Sequence, residues 1–295
     1  MPYYDIIKCK IMNGGMELAL NWLQSLIVGL ISGLTDVLPV SSQAHQTILL
    51  TCFGGTELYP LTRLVLHLAI LLTLLILCWG QIGRIRRQLK LARMPKRRRS
   101  RPVEMASIMD ARIIRTAFWF ILAGLLLFRL TDSIRGSLFW LAVGSLVNAA
   151  VLYVPRMFQT ADKDSRLVTP LESMQMGIGV GAAVLPGISS VGASYSVGIL
   201  HGVDRGYMIH LTMMMHMIFD LGLVVYDVLD VVALPVLETS RRALHSYGLT
   251  ALAAVVGTVF GYRCLRAVAE RSGLTGFSFY SFGMALFALV LYLMV

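Results

Sequence analysis

The sequence predicts an all-α polytopic membrane protein, an inverted-topology repeat with two re-entrant broken-helix hairpins and about six full transmembrane helices. Three observations predict it. Mean hydropathy is +0.72 and only 14% of residues are charged, where a soluble domain carries about a quarter. Six apolar stretches come close to the roughly 20 residues that a bilayer crossing needs. Two more are interrupted midway, at Leu38-Pro39-Val40-Ser41-Ser42 and at Leu185-Pro186-Gly187-Ile188-Ser189-Ser190.

Residues 1–15 lack the apolar core of a signal peptide. Met16 is an equally good start, so they are read as an extension with no function attached. A single transmembrane domain then fills 16–295. Its first broken stretch runs over about 18–53, and each half is too short to cross alone. Leu61–Gly80 is the first full span. The basic run from Arg84 to Arg101 follows, inside an expected cytoplasmic loop over 81–111. It holds much of the net charge of +10. Lying between apolar spans, it marks the cytoplasmic side and excludes a nucleic-acid reading. Ile113–Leu130 returns outward and Ser137–Val154 comes back in, to a loop with Arg156, Lys163 and Arg166. The second broken stretch, over about 174–200, therefore enters from the cytoplasm, and the first from outside. Tyr207–Leu229, Gly248–Leu265 and Phe277–Val295 complete the spans. Cys9, Cys52, Cys78 and Cys264 have no metal or CxxC spacing and read as small apolar residues.

The two breaks rhyme, LPVSSQAH against LPGISSVGA. Opposed repeats that each hold a broken helix point to a site at mid-membrane. A break leaves backbone N–H groups unpaired, and the next half-helix starts with a partial positive charge. Ser41 and Ser42, and the stretch Gly187, Ser189, Ser190 and Gly192, thus form two anion-binding ends, unless the serines merely cap their helices. Asp36, with Thr35 beside it and His45 after it, puts ionisable groups at membrane depth. They would act as metal ligand, acid or base, or as a pair that pins the hairpin. The span Tyr207–Leu229 carries His210, and it carries His216 and Asp220 four residues apart on one face. With His67 in another span, these are candidates for a proton or ion pathway. The methionines around them read as packing, and Asp227 and Asp230 as solvated.

ISGLTDVLPVSSQAH, from Ile31 to His45, resembles the undecaprenyl-pyrophosphate phosphatase family of the bacitracin-resistance type, which typically reads EGLTEFLPVSSTGH there. LPGISSVGAS, from Leu185, resembles the family's PGxSRSGAT, and GVDR, from Gly202, its GxSR. The likeness extends over nearly the whole chain from Met16. It implies a multi-pass protein of the bacterial cytoplasmic membrane with a site open to the outside. That site would remove one phosphate from undecaprenyl pyrophosphate, with a divalent cation such as magnesium or calcium, so that the carrier lipid is reused in cell-wall synthesis. By the resemblance His45 would be the proton-transfer group or nucleophile, Ser42 an alternative nucleophile, and Asp36 the metal or proton partner. The expected partners are a polyprenyl (pyro)phosphate lipid, the bilayer and, as an option, a second copy in a homodimer.

The match departs from the family at charged positions. Ser32 stands for the first glutamate and Asp36 for the second. Ser190 stands for the arginine that grips phosphate, and Ser281 for an arginine common in the last span. An arginine clamp suits a pyrophosphate, and losing one such donor costs on the order of 100–1,000-fold in rate. Three readings follow: a phosphatase with an altered site, a transporter of polyprenyl phosphate with His216 and Asp220 coupling protons, or a noncatalytic lipid-phosphate binding subunit.

Overall fold

The structure, a computed structural model, describes residues 20–294 apart from 56, 159–162, 235, 236, 238, 272 and 273. The N-terminal extension and Cys9 lie outside the described residues.

The first hairpin is α1 (Trp22–Val37) and α2 (Ser42–Cys52). Asn21 opens α1 with a capping box, accepting from Gln24 N at 2.8 Å while the Gln24 side chain accepts from Asn21 N at 2.9 Å. Helices α3 (Pro60–Leu77), α4 (Trp79–Arg93), α5 (Met105–Leu126) and α6 (Leu138–Tyr153) follow. The second half repeats the order with a hairpin of α7 (Pro170–Gly181) and α8 (Ser190–Leu200), then α9 (Arg205–Val232), α10 (Arg241–Arg271) and α11 (Thr275–Met294). Among the described residues five helices are long and apolar enough to cross a membrane, and α5 becomes a sixth span when taken with the turns at Phe128–Arg135, across a 42° bend. Both stretches expected as broken are broken. The basic segment is a correction: its residues from Trp79 to Arg93 form helix α4 rather than a loop.

Between the hairpins α3, α5 and α6 cross three times, so α7 enters from the side opposite α1. The side that bears the charged helix α4 is called the basic side below. Packing follows a pseudo-two-fold arrangement in which α3 meets α9, α6 meets α11, α1 packs on α10 and α7 packs on α5. Each hairpin is thus clasped by a helix of the other half. Small residues make the clasp. A methyl at Gly33 would lie 2.2 Å from Ala254 O, and one at Gly261 2.7 Å from Leu34 O. A methyl at Gly177 would lie 2.6 Å from Ala117 O. Such pairs let backbones touch where lipid gives no hydrophobic drive for association.

Candidate functional site

Pro39 and Pro186 end the first half of each hairpin because proline cannot donate within a helix. Gly187 then turns the chain at φ +87°. It has no room for a side chain, since a methyl there would lie 2.4 Å from Ser145 N and 2.6 Å from Leu141 O of α6. Each second half starts on a serine. Ser41 Oγ accepts from Ala44 N at 3.2 Å, and Ser189 Oγ from Gly192 N at 3.1 Å.

The two breaks meet in the middle of the molecule. Ser189 Oγ donates to Leu38 O at 3.3 Å. Asn148 of α6 joins both, donating to Pro39 O at 3.2 Å and accepting from Ser189 N at 3.0 Å. Asn148 also donates to Ser281 Oγ at 3.1 Å. Buried backbone groups freed by the breaks are thereby satisfied by protein.

Beside this junction lies a cavity of about 170 Å³, lined at depth by Asp36, Ser189, Ser190 and His216, along its wall by Ser41, Ser42 and His67, and toward its mouth by Arg63, Arg129 and Arg135. The mouth lies on the side away from α4. At the floor, His216 Nε2 donates to Asp36 Oδ2 at 2.9 Å and stands 3.3 Å from Asp220 Oδ2. The other ring nitrogen, Nδ1, is hydrogen-bonded to Ser190 Oγ at 2.8 Å. His216 and Asp220 are 1% and 2% exposed. Above the floor, Asp227 accepts from Arg63 Nε at 2.6 Å and from His67 Nδ1 at 2.5 Å. Asp230 accepts from Arg129 at 2.5 Å and also from Arg63.

Several sequence-derived residues are placed elsewhere. Asp36 and His45 form no pair. His45 Nδ1 donates to Ser41 O and Nε2 accepts from Tyr280 O–H, both at 2.7 Å, and the ring is not part of the cleft lining. The hydroxyl of Thr35 is spent on Ile31 O at 2.7 Å. Ser32 is fully buried, its hydroxyl unpartnered among the described residues, and it does not line the cleft. Gly187 and Gly192 shape the second break without lining the cleft, and His210 lies outside it too. Asp227 and Asp230 are not solvated: they are buried and carry the ionic cluster at the mouth.

Asn148, Tyr280 and the three arginines were missed. Asn148 is a lone amide in an apolar run, and Arg63 is a charge inside a span next to one; both are intramembrane polar residues, a signal that could have found them. Arg129 and Arg135 looked like span ends. They count here because the turns after α5 fold them over the cleft.

Comparison with known proteins agrees with the motifs. The family described as bacitracin resistance protein BacA matches residues 25–287. Curated proteins named undecaprenyl-diphosphatase are similar along most of their length. The one from Nocardioides sp. is 29% identical over 264 residues, covering 85% of this chain and 90% of the relative. That from Carboxydothermus hydrogenoformans is 26% identical over 275 residues, covering 92% and 98%. With the match spanning both hairpins and every long helix between them, the chain belongs to the BacA bacitracin resistance family.

Proposed function

We propose that the chain hydrolyses undecaprenyl pyrophosphate to undecaprenyl phosphate and inorganic phosphate in the bacterial cytoplasmic membrane. Family membership and the names of the relatives support the reaction. The observation that carries it for this chain is the cleft itself, where two half-helix N-termini, three arginines and a carboxylate-imidazole floor converge.

The floor fits a divalent cation. Asp36, His216 and Asp220 each offer one ligand atom, all within 4.8 Å of one another. The His216 Nε2–H goes to Asp36, and Asp220 Oδ2, 3.3 Å from the same nitrogen, has no hydrogen bond among the described residues. The cluster is therefore a positive charge short, and its mixed O and N donors suit a divalent ion. When bound, magnesium or calcium would neutralise charge on the phosphoryl oxygens, where the family's arginine is missing. Ser190 would position the His216 ring for such an ion, its Oγ accepting a hydrogen bond from Nδ1–H.

The remaining work falls to groups of this chain. The positive ends of α2 and α8 would favour the anion, although the amides of Ala44, Ser189 and Gly192 are already bonded within the protein. Arg129 and Arg135 meet it at the mouth. Ser42 Oγ, held by a 3.3 Å bond to Ser32 O, is the cleft hydroxyl able to turn toward phosphorus. Attack by a water that Ser42 orients forms the new phosphorus–oxygen bond of inorganic phosphate and breaks the bond to the bridging oxygen, with which undecaprenyl phosphate leaves. If Ser42 itself attacks, the phosphoserine formed is then hydrolysed by water, which releases inorganic phosphate and restores the hydroxyl. His45 holds α2 to α11 through Tyr280 rather than handling the proton.

The test is phosphate release by purified, detergent-solubilised protein with and without magnesium or calcium. Asp36→Asn, His216→Ala and metal removal should each lower release on the order of 100–1,000-fold. His45→Ala should retain release in proportion to the folded fraction. No release from a folded protein that still binds the lipid would sink hydrolysis and leave a carrier or binding subunit.

A further inference from the structure

At the opposite end of α8 lies a second cavity, of about 490 Å³, on the basic side. Arg156 after α6, Tyr195 and Ser196 of α8, Arg205 at the start of α9, and Thr275 and Phe279 of α11 line it. No carboxylate lines it among the described residues. Tyr195 and Ser196 are 4% and 1% exposed, and neither hydroxyl has a hydrogen-bond partner among the described residues. Buried hydroxyls are ordinarily satisfied, and an exception calls for an absent partner. Arg156 lies over the Tyr153 ring, 6.0 Å from its centroid. Neither Arg156 nor Arg205 is in an ion pair among the described residues.

The backbone adds to this. Helix α11 begins at Thr275, so its free N–H groups and the positive end of its dipole stand at the cavity. Gly276 has open space where a side chain would be. Two unpaired guanidinium groups, two unsatisfied hydroxyls and a helix start favour an anion with several acceptor oxygens. Leu152, Ile199 and Leu274 give the same cavity an apolar wall.

We propose that this cavity is a second phosphate site, reached from the basic side and separate from the hydrolytic cleft. Arg156 and Arg205 supply the charge, and Tyr195 and Ser196 donate from below. The ligand is a phosphate group, carried either by free inorganic phosphate or by a lipid whose chain lies along the apolar wall. Helix α8 then has a phosphate site at each end. The proposal does not depend on hydrolysis in the cleft.

Binding of inorganic phosphate and of a polyprenyl monophosphate is measured by titration calorimetry on the full chain in detergent. Arg156→Gln with Arg205→Gln should weaken one binding phase by about tenfold or more, since charge-assisted bonds are lost. Arg129→Gln, at the cleft mouth, should leave that phase unchanged. A phase seen with both ligands assigns the site to free phosphate. A phase seen with the lipid alone assigns it to a head group. Should the double variant fail to fold, Tyr195→Phe decides, because it removes one donor and keeps the ring. Unchanged binding in a folded double variant, or in Tyr195→Phe, overturns the proposal.

Discussion

The two hairpins share a plan and differ in what their second serine does. In both, a small-residue face clasps a helix of the other half, a proline stops the first helix, and a serine caps the second. In the first hairpin, Ser42 faces the cleft with only a long bond to Ser32 O and an amide contact from Gln46. In the second, Ser190 is buried and locked to His216. One scaffold thus supplies a hydroxyl able to react and a hydroxyl that orients. The difference comes from the neighbours: α2 opens onto the cleft, while α8 is sealed on nearly every side by α6, α7 and α9.

The largest effect should come from the bridge that joins the breaks. Asn148→Ala leaves Pro39 O and Ser189 N unpaired in a buried place, at about 1–3 kcal/mol each. Thermal unfolding in detergent should show a clear drop in midpoint. An unchanged midpoint would mean the breaks hold without the bridge and that the likeness of the hairpins is local only.

Next is the contrast between the serines. Ser190→Ala should weaken divalent-cation binding about 10–100-fold, as loss of a group that orients a metal-bound imidazole does. Ser42→Ala should leave cation binding intact and lower phosphate release instead. Calorimetry with calcium, beside the release assay, separates the two. Equal losses of cation binding in both variants would erase the distinction.

The smallest effect concerns what the hairpins share. Ser41→Ala and Ser189→Ala each remove an N-cap and should each cost about 1 kcal/mol, read by the same unfolding experiment. A large excess for Ser189 would show that its bond to Leu38 O outweighs its cap.

The sequence makes the scaffold legible and the site only partly so. Hydropathy and the Pro-Ser punctuation locate both breaks because the bilayer leaves so few ways to satisfy a backbone. The run from Arg84 hides a helix, because its charge masks a 3.6-residue pattern along α4. Asp36, Ser190, His216 and Asp220 could each be singled out. Their meeting could not, since they come from α1, α8 and α9 and only the crossing of the halves brings them together. The surroundings of His45 were not legible either: its motif neighbours are near in sequence, but its ring turns along α2 toward Tyr280, more than 200 residues away in the chain.

The exchanged clasp also has a consequence for how the protein is made. Helix α1 cannot settle against its partner until α10 has left the ribosome, about 200 residues later, an interval on the order of 10–40 s at ordinary synthesis rates. During that interval a half-length helix with bare glycine faces and a broken end must be sheltered at the translocation machinery. A nascent chain halted before Arg241 should therefore be a preferred substrate for membrane quality-control proteolysis.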